Sequence, residues 1–143
     1  MKANELMLAD WVNIINTGHA QVVMVDQYHI QTTYAKYLID ERKLEPILIT
    51  AEILKANGFI RKEIYKDGDF WDYIYSQHDG VHDFYCKARF VDSRGIDCCE
   101  FSYYTYGILS CNVVSIKYRF VHELQHAMRL IGLADLADNF KVV

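Results

Sequence analysis

Two turn signals constrain what this chain can fold into more than any other feature. Lys66-Asp67-Gly68-Asp69 separates Glu63-Ile64-Tyr65 from Phe70-Trp71-Asp72-Tyr73-Ile74-Tyr75, and Asp92-Ser93-Arg94-Gly95 joins Phe84–Val91 to Ile96–Tyr104. Runs of aromatic and β-branched residues joined by such short connections form hairpins, so the stretch from Phe59 to Tyr118 reads as a mainly antiparallel meander. A last strand falls within Leu109–Tyr118. The eleven Tyr and seven Phe suit this reading, because flat rings fit a pleated, half-buried surface.

The first third also reads as short strands. Trp11–Ile15 ends at the turn signal Asn16-Thr17-Gly18, and Gln21–Val25 and Tyr28–Tyr34 follow across Asp26-Gln27. Three such strands predict a small, curled, SH3-like N-terminal sheet. One central short helix starts after Pro46-Ile47-Leu48-Ile49, where Thr50 can cap free N–H groups and Glu52 sits in the first turn. Asn57-Gly58 stops it, with Gly58 suited to the left-handed position beyond the last turn. A C-terminal amphipathic helix spans 120–131 and stops near Gly132, with a further short turn in Ala134–Asp138. The fold class is therefore α+β, mainly antiparallel sheet, in a single domain over 1–143.

Composition removes several function classes. With 52% apolar and 24% charged residues the chain predicts a packed globule rather than disorder. The formal charge of −4 lacks the basic surplus from which nucleic-acid binders draw their affinity, so DNA or RNA is disfavoured as a partner. No apolar run approaches the roughly 20 residues of a membrane span, and Met1-Lys2-Ala3-Asn4-Glu5-Leu6 does not read as a secretory signal. Cys86, Cys98, Cys99 and Cys111 form no Cys-x-x-Cys pair, which suits reduced cysteines in a core and a cytoplasmic location.

The one string with enzymatic chemistry in it is His122-Glu123-Leu124-Gln125-His126. On a helix, His-Glu-x-x-His sets two imidazoles about one turn apart on one face, where both can bind one zinc ion while the Glu acts as general base on a bound water. His122 and His126 are thus alternative metal ligands, and Glu123 an alternative catalytic base. A catalytic zinc also needs a third ligand. The metzincin continuation would place Gly at 129 and His at 132, where this chain has Arg129 and Gly132. Remaining donors are Asp135 and Asp138 downstream, and His78, Asp79, His82 and Asp83 upstream. Phe120, Val121, Leu124, Ala127, Met128 and Ile131 share one apolar arc at helical spacing, which sends His122, His126 and Arg129 to the opposite side and predicts a solvated face for them.

Two further clusters are weaker. Gln77–Asp83 gathers two His and two Asp in a predicted loop that could hold a divalent ion. Tyr103, Tyr104 and Tyr106 could present an aromatic patch to a partner. The chain has neither a Gly-rich phosphate loop nor a Gly-x-Ser-x-Gly elbow.

Three segments resemble a family of small uncharacterised proteins of gut Bacteroidales, their phages and integrated elements. They are Met1–Leu6 running on to Asp10-Trp11-Val12, Leu44–Phe59, and Tyr118–Leu130 with Val121-His122-Glu123-Leu124-Gln125 inside it. Together they cover about a third of the chain. The resemblance carries no activity. The family's closing helix commonly has Gln where this chain has Glu123 and Asn where it has His126, so such relatives lack the base and the second ligand. Leu8-Ala9-Asp10 stands where a Gly-containing turn is more usual.

The resulting expectation is a non-enzymatic accessory protein of a phage or mobile element, acting on a protein partner or through self-association, with no cofactor. The alternative is a zinc-dependent hydrolase built on His122, Glu123 and His126.

Overall fold

A computed structural model describes residues 5–26, 29–33, 43–63, 70–78, 82–91, 95–105, 108–116, 118–130 and 132–143; along most of residues 62–117 only the backbone is described. The order of elements is β1 (Trp11–Ile14), β2 (Gly18–Val25), β3 (Ile30–Thr32), β4 (Leu44–Glu45), α1 (Ala51–Ala56), β5 (Ile60–Glu63), β6 (Phe70–His78), β7 (His82–Val91), β8 (Gly95–Thr105), β9 (Ile108–Ile116), α2 (Val121–Leu130) and α3 (Ala134–Asp138). The class is α+β with antiparallel sheets, as the turn signals require.

The N-terminal sheet has the order β3-β2-β1-β4. Its central hairpin pairs Trp11 with Gln21 and Ile14 with Gly18, and the turn is made by Asn16 at φ 65°, a left-handed conformation that Asn tolerates. Strict alternation along β1 sends Val12 and Ile14 inward, where they meet Ala20, Val22, Ile30, Leu44 and Leu6 in a small core. The fourth strand, β4, is an addition to the three read from sequence. It pairs Asn13 with Glu45, and the Asn13 Nδ2 donates to Glu45 Oε2 at 3.1 Å.

The second sheet runs β5-β6-β7-β8-β9, every neighbouring pair antiparallel. Both predicted hairpins fall at its turns, although residues 64–69 and 92–94 lie outside the described residues. Of the Gln77–Asp83 segment, the two ends are strand, and residues 79–81 lie outside the described residues. β6 runs through His78 and β7 begins at His82, with His78 paired to Asp83. Asp79 lies outside the described residues, as does Tyr106. Tyr103 and Tyr104 lie on β8, Cys86 on β7, Cys98 and Cys99 on β8, and Cys111 on β9.

The helices join the two sheets. Thr50 Oγ1 accepts from Ile53 N–H at 3.2 Å and starts α1, and Gly58 at φ 81° follows its end. Residues 47–49 run beside 119–121, with Val121 N–H donating to Ile47 O at 2.9 Å and Ile49 N–H to Arg119 O at 3.0 Å. The larger core forms around this strip. Ile53 and Leu54 of α1, Val121, Leu124, Ala127 and Met128 of α2, and Ala137 and Phe140 near the C-terminus pack with Phe59, just before β5, and with Tyr73 and Ala88 from the second sheet. Asn57 then ties the chain end in place. Its side-chain amide donates to Ile53 O and Lys141 O at 2.7 and 2.8 Å and accepts from Lys141 N–H at 2.7 Å.

Candidate functional site

The apolar arc of α2 is buried as its periodicity predicts: Val121, Leu124 and Met128 are fully covered and Ala127 nearly so. The opposite arc is not solvated, which corrects the sequence expectation. His122 is 6% exposed and Gln125 0%, and the side chains of His126 and Arg129 are 27% and 15% exposed. Among the described residues of the helix, only Glu123 and Leu130 remain as an outer strip between the two arcs. The polar arc is covered because it docks onto the segment leading into β1 and onto α3, where Gln125, His126 and Arg129 meet polar partners.

Asp10 is the centre of that contact. It is completely buried, yet it accepts from Arg129 Nη1 at 2.7 Å through Oδ1 and from Met7 N–H at 2.8 Å through Oδ2. His126 Nε2 lies 2.6 Å from the same Oδ2, so Asp10 acts as acceptor and His126 carries its hydrogen on Nε2. Arg129 also donates to Asp138 Oδ1 and to Leu8 O, both at 2.9 Å. A carboxylate fully out of water persists only when charges and N–H donors replace its hydration, and these three donors do so.

Gln125 makes a second link of the same kind. Its Oε1 accepts from Trp11 N–H at 3.0 Å, and its Nε2 donates to Ala9 O at 2.9 Å and Ala137 O at 2.7 Å. One side chain thereby satisfies backbone groups of the β1 lead-in and of α3 at once. The Trp11 indole N–H completes the contact by donating to Phe140 O. Ala9, at φ 65°, holds a left-handed turn conformation that favours glycine.

Glu123 faces the N-terminus of its own helix. Its Oε2 accepts from Arg119 N–H at 3.1 Å and Phe120 N–H at 3.2 Å. This is the backward-reaching half of a capping box, in which the acid of the first turn covers amides that have no intrahelical partner.

The zinc-peptidase geometry can now be compared with what the helix does. Spacing alone brings the two imidazoles together, edge to face with centroids 6.0 Å apart. His126, however, directs Nε2 to Asp10, and Glu123 directs a carboxylate oxygen to the helix N-terminus. Asp135 is exposed on α3, and Asp138 is engaged by Arg129. Among the described residues, no three His, Cys, Asp or Glu side chains come together as a set that could hold a metal ion.

His122 differs from its neighbours. Its ring stacks parallel to Phe120 with centroids 6.0 Å apart, and its Nδ1 is buried without a hydrogen-bond partner. Burial pushes its pKa below the ordinary value of 6.5, outweighing the opposing influence of Glu123 and Asp10. His122, His126 and Glu123 line a cleft of about 450 Å³ together with Glu5, Pro46 and Phe120. Sequence reasoning named three of these six residues. It missed Asp10, Gln125 and Glu5, which carry no local motif; an acid directly before the apolar alternation of β1 was the only available sign of Asp10.

Comparison with known proteins adds no relative: no family model, no curated protein and no solved structure matches this chain. No helix among the described residues is long and apolar enough to cross a membrane.

Proposed function

We propose that this chain is a non-enzymatic accessory protein of a phage or mobile element that works by binding another protein. The observation that carries the reading is an exposed apolar patch where the β1 lead-in meets β2. Met7, Leu8, Val23 and Met24 are 49%, 60%, 46% and 37% exposed. Hydrogen bonds of 2.8 Å from Ala9 N–H to Val22 O, and from Val22 N–H to Asp10 O, hold their two segments side by side. The Arg129 side chain, from the end of α2, donates to Leu8 O and holds the lead-in in place. Grouped apolar side chains of this kind mark interaction surfaces, and methionine adapts readily to a partner's shape. The non-enzymatic half of the proposal rests on Gln125, His126, Arg129 and Glu123, whose polar atoms serve as ties within the protein.

The test is a paired purification from a gut Bacteroidales host, comparing the tagged wild type with a Leu8→Asp/Val23→Asp variant. Light scattering reports self-association, and quantitative mass spectrometry reports bound proteins. A stoichiometric partner or dimer that the variant loses, at unchanged melting temperature, supports the reading. Identical, monomeric and partner-free behaviour of both proteins overturns it.

A further inference from the structure

Two backbone irregularities accompany the apolar patch, one on each of its segments. On β2 the register shifts between Val22, paired with Thr32, and Met24, paired with Gln31. In an unbroken strand one of the neighbours Val23 and Met24 would face the core; at this bulge both are exposed. On the lead-in, Ala9 N–H and Asp10 O both bond to Val22, so two residues stand against one of β2. There Leu6 is buried, while Met7 and Leu8 stay outside, ahead of the left-handed Ala9.

Size and charge limit what can cover the patch. Four side chains exposed by roughly half present on the order of 300 Å² of apolar surface, against the about 800 Å² that each partner buries in a complex of standard size. A second copy of the chain, laying this patch on its own, falls well short of a stable dimer. It would also bring like charges together. Arg129, which donates to Leu8 O, stands between the carboxylates of Asp10 and Asp138, and Asp138 is 53% exposed. One guanidinium against two carboxylates leaves this edge negative. On the β2 side, Asp26 lies two residues past Met24 and is 46% exposed. It accepts from His29 N–H at 2.8 Å, an amide that leaves its charge in place, and the His29 ring stands 3.3 Å away.

The sheet decides the form of the partner. β2 is flanked by β1 and β3, so it offers no free edge to an added strand. A partner must reach Val23 and Met24 with side chains alone, as the apolar stripe of a helix does. Building on the protein-binding reading of this patch, we propose that its occupant is a single amphipathic helix of another protein, apolar on one face and flanked by Lys or Arg. Its apolar residues cover Met7, Leu8, Val23 and Met24, and its cations meet Asp26 and Asp138.

The experiment is a calorimetric titration of the full chain at pH 8, where a histidine of ordinary pKa is uncharged. The probes are acetylated peptides of about 14 residues, long enough to form a helix on contact. One sets leucines on one helical face and lysines elsewhere; the second has glutamate for lysine; the third alternates leucine and lysine as a strand would. The first is expected to bind one to one with a Kd on the order of 0.1 mM, as a patch of this size supports. The other two should bind at least about tenfold more weakly. The Leu8→Asp/Val23→Asp variant should lose the lysine peptide, although its added negative charges strengthen any binding by charge alone. Asp26→Asn/Asp138→Asn, which keeps oxygen acceptors for His29 N–H and Arg129, should bind it about fivefold more weakly. No binding of the lysine peptide, equal binding of the glutamate peptide, or undiminished binding by either variant overturns the proposal. So does attachment to phosphatidylglycerol vesicles, or a dimer in light scattering, that the Leu8→Asp/Val23→Asp variant loses. A dimer, or a purified partner without a basic helix, leaves the protein-binding reading standing, so the two proposals fail separately.

Discussion

Replacing Asp10 with Asn tests the central contact of the protein with almost no change in shape. The carboxylate is 0% exposed and receives hydrogens from Arg129, Met7 and His126. An amide has one oxygen and one NH₂ group, so in either orientation it sets a donor against a donor. With NH₂ at the Oδ1 position it confronts Arg129 Nη1; at the Oδ2 position it confronts Met7 N–H. Breaking a buried ion pair by removing one partner costs about 3–5 kcal/mol. Arg129 retains Asp138 and Leu8 O, which puts Asp10→Asn near the lower end, about 3 kcal/mol. For a chain of this size that lowers the melting temperature by about 6–12 °C. Thermal unfolding followed by circular dichroism, together with urea titration, measures the loss. A double-mutant cycle with Arg129→Met should give a coupling of about 1–3 kcal/mol. If Asp10→Asn melts within about 0.5 kcal/mol of the wild type, the typical scatter of surface changes, the reasoning is refuted.

Three further outcomes follow from the same geometry. Gln125→Leu leaves Trp11 N–H without its partner, while Ala9 O keeps Gln21 Nε2 at 3.5 Å and Ala137 O keeps Phe140 N–H at 3.4 Å, and should cost about 1–3 kcal/mol in urea unfolding, the cost of one orphaned group. Glu123→Gln keeps an acceptor for the Arg119 and Phe120 amides and should stay within about 0.5 kcal/mol of wild type, whereas Glu123→Ala should lose about 1 kcal/mol. Equal effects of the two on unfolding would contradict the capping role. Because burial lowers the His122 pKa from 6.5, between 6.5 and its folded value the unfolded chain binds a proton that the folded chain does not. Stability should therefore fall as pH drops through that window and level off below it. His122→Phe should flatten this part of the profile, and an unchanged slope in the variant would assign it to other groups.

Much of the fold was legible because its determinants are local. Thr50, Glu52 and Gly58 bound α1 through contacts within a few residues, and the alternation of β1 needs only a pleated backbone to send Val12 and Ile14 to one side. The hairpin order of the second sheet follows from short connections alone. The same locality produced the two errors. The loop reading of Gln77–Asp83 took in too much at each end, because charge and histidine content do not reveal that the strand pairing extends to His78 and Asp83. The polar arc of α2 looked solvated, because a helical wheel shows which residues share a face but not what covers it.

Sequence by itself determined the α+β class, the antiparallel order, the first two helices and the placement of His122, Glu123 and His126 on one helix, while α3 was legible only as a short turn. Only the tertiary structure decided what that helix does. Its polar partners, Asp10 and Trp11, lie 116 and 114 residues away from His126 and Gln125, and no pattern within a local window connects them. Folding removes water from this contact, so Gln125, His126 and Arg129 must bond to whatever the chain brings there. The pentapeptide that reads as a metal motif thereby becomes the joint between the two ends of the protein. His122, whose Nδ1 is buried without a hydrogen-bond partner, stays in the wall of the cleft.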